Sequence, residues 1–380
     1  MKILIAPDSF KESLSASEVA HHILEGIKQA DPDIECMCIP LADGGEGTVN
    51  SLVEATNGHL EKIKLFDPLL REIESYFGIL GDGKTAVIEM AAASGLELLR
   101  EGERNPMVTS SYGTGQLITA ALDKEVESLI IGIGGSATND GGAGMAQALG
   151  VDLLDKNGKK IGNGGGSLNH LESIDDRRID PRLKHTRILV ASDVKNPLCG
   201  EKGASATYGP QKGATKQMVI ELDKNLAHFG KKLEEKYGIS IMEVPGSGAA
   251  GGLGAGLIAF MKASLEPGFD VIKRFTGLED LIKEADLVIT GEGRMDEQTI
   301  YGKAPHGVAN LAKKYNKRVI GIAGSLGPGY QILYREGFDA LLSIIDKPMS
   351  LEIALGDAAD LLKSTAYNLV QLINMGRGLK

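Results

Sequence analysis

Both ends of this chain alternate short apolar runs with amphipathic stretches, and that alternation limits the fold more than any other feature. Residues 2–6 (Lys2-Ile3-Leu4-Ile5-Ala6) read as a strand, followed by a polar loop over 7–14. Ser15 and Glu18 then form an S-x-x-E capping box, and Val19, Ala20, Ile23, Leu24 and Ile27 recur at helical spacing on one face. A second strand spans 35–39. A second helix is opened by Asp43-Gly44-Gly45-Glu46 and turns Val49, Leu52 and Val53 inward. Strands that alternate with helices predict a parallel, doubly wound sheet. The pattern returns at the other end, with strands at 286–290, 318–323 and 339–345, a helix near 307–315, and a terminal helix carrying Leu361, Leu362, Leu369, Leu372 and Ile373. Between these ends the grammar changes. Residues 71–80 and 84–90 read as an antiparallel pair, and Asp155-Lys156-Asn157-Gly158-Lys159-Lys160 as a hairpin turn. The expected architecture is therefore α/β. One discontinuous open-sheet domain comprises residues 1–60 and 286–380, and a mixed α/β domain, residues 61–285, is inserted into it.

A chain of 380 residues can bury about two cores. Its 41 basic and 51 acidic residues leave a formal charge of −10, which argues against nucleic acid as a partner. An anionic ligand would have to be held by local dipoles and a few cations against that field. Three cysteines make no disulfide framework. Cys36 and Cys38 alternate on one expected strand, which predicts a shared, core-facing side rather than a zinc site. The first apolar run is too short for a signal peptide, and the small-residue run 248–261 is too short and glycine-rich to span a membrane. A cytoplasmic location without membrane partners is expected.

A second feature bears on chemistry. The run Leu129-Ile130-Ile131 leads into Gly132-Ile133-Gly134-Gly135-Ser136-Ala137-Thr138-Asn139-Asp140-Gly141-Gly142-Ala143-Gly144-Met145. Glycine this dense lets backbone N–H groups approach and point at an anion, as loops at helix N-termini do. The plainer reading is a flexible connection. Two other motifs are decoys. Gly78-Ile79-Leu80-Gly81-Asp82-Gly83-Lys84-Thr85 satisfies the phosphate-loop pattern letter for letter, but the residues after it favour a strand, and Asp82-Gly83 favours a tight turn. Gly132-x-Gly134-x-x-Ala137, with Asp152 downstream, fits a dinucleotide fingerprint. That fingerprint needs a helix to begin inside it, and Thr138-Asn139-Asp140-Gly141-Gly142 continues the loop instead. A nicotinamide-dependent dehydrogenase is thus a minor alternative, beside a non-catalytic anion-binding protein.

Four polar loops follow apolar strands, where open α/β sheets bind ligands. They carry Asp8, Ser9 and Lys11; Asp43 and Glu46; Asp193 and Lys195; and Glu292, Arg294 and Asp296. Each brings a carboxylate able to serve as a base or a magnesium ligand, and Lys11 and Arg294 offer donors to phosphate or carboxylate. The structural alternatives stay open: Asp43 and Glu46 as a capping box, Asp8 and Asp193 as turn formers, Glu292 and Asp296 as solvated loop charges. Of the histidines, only His306, near Gly302-Lys303, invites a check.

Taken in order, residues 7–14, 42–48, 89–96, 110–115, 134–142, 191–198, 209–214, 248–254, 289–298 and 302–305 resemble those of bacterial glycerate kinases of the first type. The resemblance covers nearly the whole chain. It implies a flavodoxin-like domain with an inserted mixed α/β domain, no Walker A motif, and phosphorylation of D-glycerate by ATP with Mg²⁺. The 2-hydroxyl is the expected acceptor, with 3-phosphoglycerate as the alternative product. Such chemistry asks for positioning, phosphate donors and a base. On that reading Gly134, Gly135, Ser136, Thr138 and Asn139 hold phosphate. Asp193 is the first choice for base and Asp8 the second, and Lys11 neutralises the transferred group. Ser9, Asp43, Arg294 and Asp296 surround the substrate, and Asp193 and Asp296 take the metal. Oligomeric state stays open.

Overall fold

The structure is a computed structural model that describes residues 1–42 and 44–378. Its strands are β1 (Lys2–Ile5), β2 (Glu35–Cys38), β3 (His59–Phe66), β4 (Glu72–Ile79), β5 (Thr85–Glu89), β6 (Ser128–Gly132) and β7 (Asp152–Leu154). They continue with β8 (Ser173–Asp175), β9 (Arg187–Ala191), β10 (Ser264–Glu266), β11 (Leu287–Met295), β12 (Arg318–Leu326) and β13 (Ala340–Ser343). The chain divides into two compact units, one of Met1–Asp43, Asn50–Thr56 and Phe269–Lys380, the other of Gly44–Val49 and Asn57–Gly268.

In the first unit a five-stranded sheet runs β13-β12-β11-β1-β2, every pair parallel. Counted within the unit this is the order 2-1-3-4-5 of flavodoxin-like sheets, as expected. Helix Ala16–Ala30 starts on the reciprocal Ser15–Glu18 box, with Ser15 N–H donating to Glu18 Oε2 at 2.8 Å. Its Val19, Ile23 and Ile27 pack with Ile3, Ile5, Ile289 and Ile322 and with Leu361, Leu362 and Val370 of helix Ala358–Gly378. Leu4 and Val288, one step along their strands, point to the opposite face and are fully buried. Helices Leu278–Glu284 and Ala304–Lys314 touch β1, β11 and β12.

Three expectations shift here. Helices Gly268–Thr276 and Leu278–Glu284, read as part of the insertion, belong almost wholly to the first unit. Their Val271, Ile272, Leu278 and Ile282 are fully buried, and the Phe269 ring lies over Gly307. β11 and β12 do not stop at Gly291 and Gly324. They stay paired through Arg294↔Ser325 and Met295↔Leu326, because a Cβ at Gly291 would collide with the Ile322 carbonyl of the neighbouring strand. Glycine there permits close strand contact rather than ending the strand. Cys36 and Cys38, on the edge strand β2, are half-buried free thiols rather than core residues.

The second unit holds a six-stranded mixed sheet in the order β10-β9-β6-β5-β4-β3. β3, β4 and β5 pair antiparallel, while β5, β6, β9 and β10 are parallel. β4 and β5 make the expected hairpin over residues 78–85, with Gly83 at φ +67° and Leu80 N–H donating to the Thr85 carbonyl. The phosphate-loop pattern is a β-turn. Asp155 holds the predicted second turn through Asn157 and Lys159 N–H, but the returning chain makes only an isolated bridge at Lys160, and β7 pairs with β8 instead. Segment Ala249–Met261 is buried almost throughout, and three successive residues, Ala250, Gly251 and Gly252, have left-handed φ of 53°, 68° and 88°. No helix of the described residues is long and apolar enough to cross a membrane.

Candidate active site

The first unit places its chemistry at the carboxyl ends of its strands. The direction of winding reverses between β1 and β11, the position at which open α/β sheets leave a crevice. A cavity of about 750 Å³ opens there, lined by residues 8–13, 292–294 and 344–345, by Lys303 and by the segment 349–358 among others. After β1 the chain makes a tight turn in which Phe10 and Leu14 exchange backbone bonds and Glu12 takes φ +65°. This turn buries the Phe10 ring and leaves the Lys11 side chain exposed at the cavity, with no ion-pair partner among the described residues. Asp8 is buried beside it, with Asp8 N–H donating to the Gly291 carbonyl and Oδ1 accepting from Ser9 N–H at 2.6 Å.

Across the cavity the continued strand β11 supplies Glu292 and Arg294. Glu292 is not a solvated loop charge. It is 8 % exposed, and its two oxygens accept from Thr299 Oγ1 at 2.8 Å and Lys303 Nζ at 2.6 Å. Burial pushes its carboxyl up, and Lys303 opposes that. Arg294 is mostly exposed and pairs through Nε with Asp296 Oδ2 at 3.0 Å. Asp296 Oδ1 accepts from Gln298 N–H as a helix cap. Gly327 makes room for this pair, because a Cβ there would lie 2.9 Å from Arg294 Nε. Asp8, Ser9, Lys11 and Arg294 thus come together at one cavity, with Asp296 behind Arg294. Asp43 lies outside the described residues. His306 is packed against Asn310 and Glu336 and does not line the cavity.

The glycine-rich loop belongs to the second unit and has two distinct halves. Gly134 and Gly135 are exposed, and the amides of Gly134, Gly135 and Ser136 have no acceptor among the described residues. The other half is interior. Thr138, Asn139 and Asp140 are fully buried, and Ser136 nearly so. Lys212 is itself buried, and its Nζ donates to Ser136 Oγ and to the Thr138 carbonyl, each at 2.6 Å. Burial pulls the Lys212 ammonium down to about 7, opposed by the charge of Asp140. Asp140 accepts from Ser111 N–H and Oγ and from the Gly142 and Gly144 amides. The N-terminus of the short helix Ala143–Ala148, where a phosphate could dock, is therefore taken by the chain's own carboxylate. Asn139 Nδ2 donates to Ser205, while Thr138 Oγ1 and Asn139 Oδ1 have no partner among the described residues. A helix does not begin within residues 132–137, so the dinucleotide fingerprint lacks its structural context.

Two residues of this unit carry signals that sequence reading missed or left open. Glu89, at the carboxyl end of β5, accepts from Val49 N–H at 2.7 Å. It thereby meets the start of helix Thr48–Ala55 from a position forty residues away. Burial raises its carboxyl to about 7. Asp193 follows β9, and its Oδ1 accepts from Gly268 N–H at 3.2 Å. Among the described residues, the one set of three side chains spaced to grip a metal is His21, His22 and Glu25 on a helix surface, and it includes neither Asp193 nor Asp296.

A model of the glycerate kinase family matches residues 3–374. The chain belongs to the glycerate kinase family. It is 53% identical over 367 residues to a glycerate kinase of Halalkalibacterium halodurans, covering 97% of each chain. It is 51% identical over 376 residues to the glycerate 2-kinase of Escherichia coli, covering 99% of each. A crystal structure described as a glycerate kinase 2 from Salmonella typhimurium LT2 superposes with a TM-score of 0.90 at 49% identity, covering 100% of this chain and 99% of that one. Membership makes the chain a kinase, and the expected fold and family both hold.

Proposed function

We propose that the chain transfers the γ-phosphoryl group of ATP to the 2-hydroxyl of D-glycerate. Full-length likeness to kinases of this substrate supports the reaction, and a relative at 51% identity is named a 2-kinase. The observation that carries the site is the cation-edged cavity at the switch point of the first sheet, with Lys11, Arg294 and Lys303 facing the carboxylates of Asp8 and Glu292. Arg294 is suited to the glycerate carboxylate, because Asp296 holds its Nε and orients the guanidinium fork. Lys11, unpaired and exposed among the described residues, is suited to charge on the phosphoryl group in flight. The amides of Gly134, Gly135 and Ser136 offer unpaired donors to phosphate oxygens, and Lys212 and Asp140 hold the loop in that shape from below. Thr138 and Asn139 act from the interior as part of that support.

Asp193 and Asp8 are the candidates for accepting the hydroxyl proton. A magnesium ion bound with ATP would supply positive charge to offset that of the phosphates. The hard carboxylate oxygens of Asp193 and Asp296 would hold such an ion, those of Asp296 while also accepting from Gln298 N–H and Arg294 Nε. The deciding experiment is release of ADP with D-glycerate and Mg²⁺, coupled to enolase. Enolase alone should yield phosphoenolpyruvate. A signal that needs added phosphoglycerate mutase would assign the 3-hydroxyl, and no glycerate-dependent ADP would remove the reading.

A further inference from the structure

The same cavity has an apolar lining that glycerate does not explain. Its charged lining comes from the turn after β1, the carboxyl end of β11 and Lys303. Beside these groups it is lined by Phe10, Ile344, Ile345, Met349, Ala354 and Leu355. Every carbon of glycerate bears oxygen, so glycerate has no apolar face to lay on such a wall, and its oxygens would lose water without gaining partners. At about 750 Å³ the cavity also matches sites that take a whole drug-sized ligand, roughly 300–1,000 Å³, rather than a three-carbon acid. The wall is not slack: Ser13 Oγ donates to the Leu355 carbonyl at 2.7 Å and ties the β1 turn to the segment that closes the chamber.

We infer that this apolar lining of the first unit's cavity receives the purine base of the phosphoryl donor, with the ribose and phosphates directed toward Lys11 and Lys303. The inference rests on the kinase reading above. Of the two reactants, only the nucleotide carries a flat ring with largely apolar faces. Phe10, Met349, Ala354 and Leu355 offer such a ring apolar contact, and its phosphates would then meet the cations that line the same cavity.

Photolabelling of the wild-type chain with 8-azido-ATP tests the placement without any variant. Label should map to peptides covering residues 344–358 and be displaced by ATP. Label confined to residues 57–268 would overturn the inference. Two variants give the kinetic counterpart. Ala354→Phe fills the chamber and Met349→Ser makes its wall polar. Each should raise KM for ATP by about tenfold or more, as loss of apolar pocket contacts does. KM for glycerate should stay within about twofold, the pattern of a contact made to one substrate only. A raised KM for glycerate with unchanged KM for ATP would also overturn it. Failure of the kinase reading looks different, because a wild-type chain without glycerate-dependent ADP release can still be photolabelled.

Discussion

Lys212 sits in a Gly-Pro-Gln-Lys-Gly-Ala stretch, and its ammonium lies inside the second unit on Ser136 and Thr138. Nothing local in the sequence shows that burial, because the atoms that surround it come from residues more than seventy positions away. Its titration gives a signed prediction. The folded chain holds the Lys212 proton only to about pH 7, against 10.5 for an ordinary lysine, so the unfolded chain binds more protons between those values. Stability from this site is present above pH 10.5 and is lost as pH falls through 7. Urea unfolding of wild type and Lys212→Met should show wild type gaining on the variant from pH 7 to pH 10, by at most about 5 kcal/mol over the full span. Parallel curves would mean that burial does not hold the ammonium neutral. Glu292 was likewise open in the sequence and became legible only once β11 continued past Gly291. Asp8, Ser9, Lys11 and Arg294 were legible because strand ends could be read. For the base, Asp193→Asn should keep its melting temperature and lower kcat by about 10²-fold or more, the usual effect of losing a positioned base. Near-normal turnover would pass the role to Asp8.

At the scale of elements, the open sheet of the first unit was readable because each strand and helix there carries its own period and its own punctuation. The two helices after Gly268 and the left-handed corner at residues 250–252 were not. The first are short and take their place from burial against the neighbouring helix, and the second is set by contacts with the buried half of the glycine-rich loop. Gly251 O accepts from Gly141 N–H at 3.0 Å, and a Cβ on Gly251 would lie 2.7 Å from Asn139 Cα. Gly238 has nearly the same φ, +67° against +68°, but caps helix Lys216–Tyr237 with nothing within 4 Å of its Cβ position. The pair separates backbone strain from crowding. Gly238→Ala should cost about 1 kcal/mol, the left-handed penalty alone. Gly251→Ala should cost about 3 kcal/mol or more, because the backbone of residues 138–139 must move as well. Equal losses in thermal or urea unfolding would show that the corner relaxes freely and does not brace the loop.

For the whole molecule, the insertion expected from the sequence is a matter of separate cores. One apolar cluster gathers Ile3, Ile23, Ile289, Ile322 and Leu362. Another gathers Ile88, Ile131, Leu117, Phe229 and Leu253, and the two have no residue in common. Each cluster lies wholly within one of the two compact units. A core that closes on itself can unfold as its own cooperative step, and the two-state approximation then fails for the chain as a whole. Scanning calorimetry should therefore resolve two transitions, or a calorimetric enthalpy well above the van't Hoff value. Gly251→Ala provides the assignment. It perturbs only contacts within the second unit, so it should lower one transition and leave the other in place. ATP, on the proposed chamber, should raise the transition that Gly251→Ala leaves unmoved, because a ligand stabilises the unit whose folded form it binds. A single transition that shifts as one with both the substitution and the nucleotide would show that the two cores fold as one cooperative body.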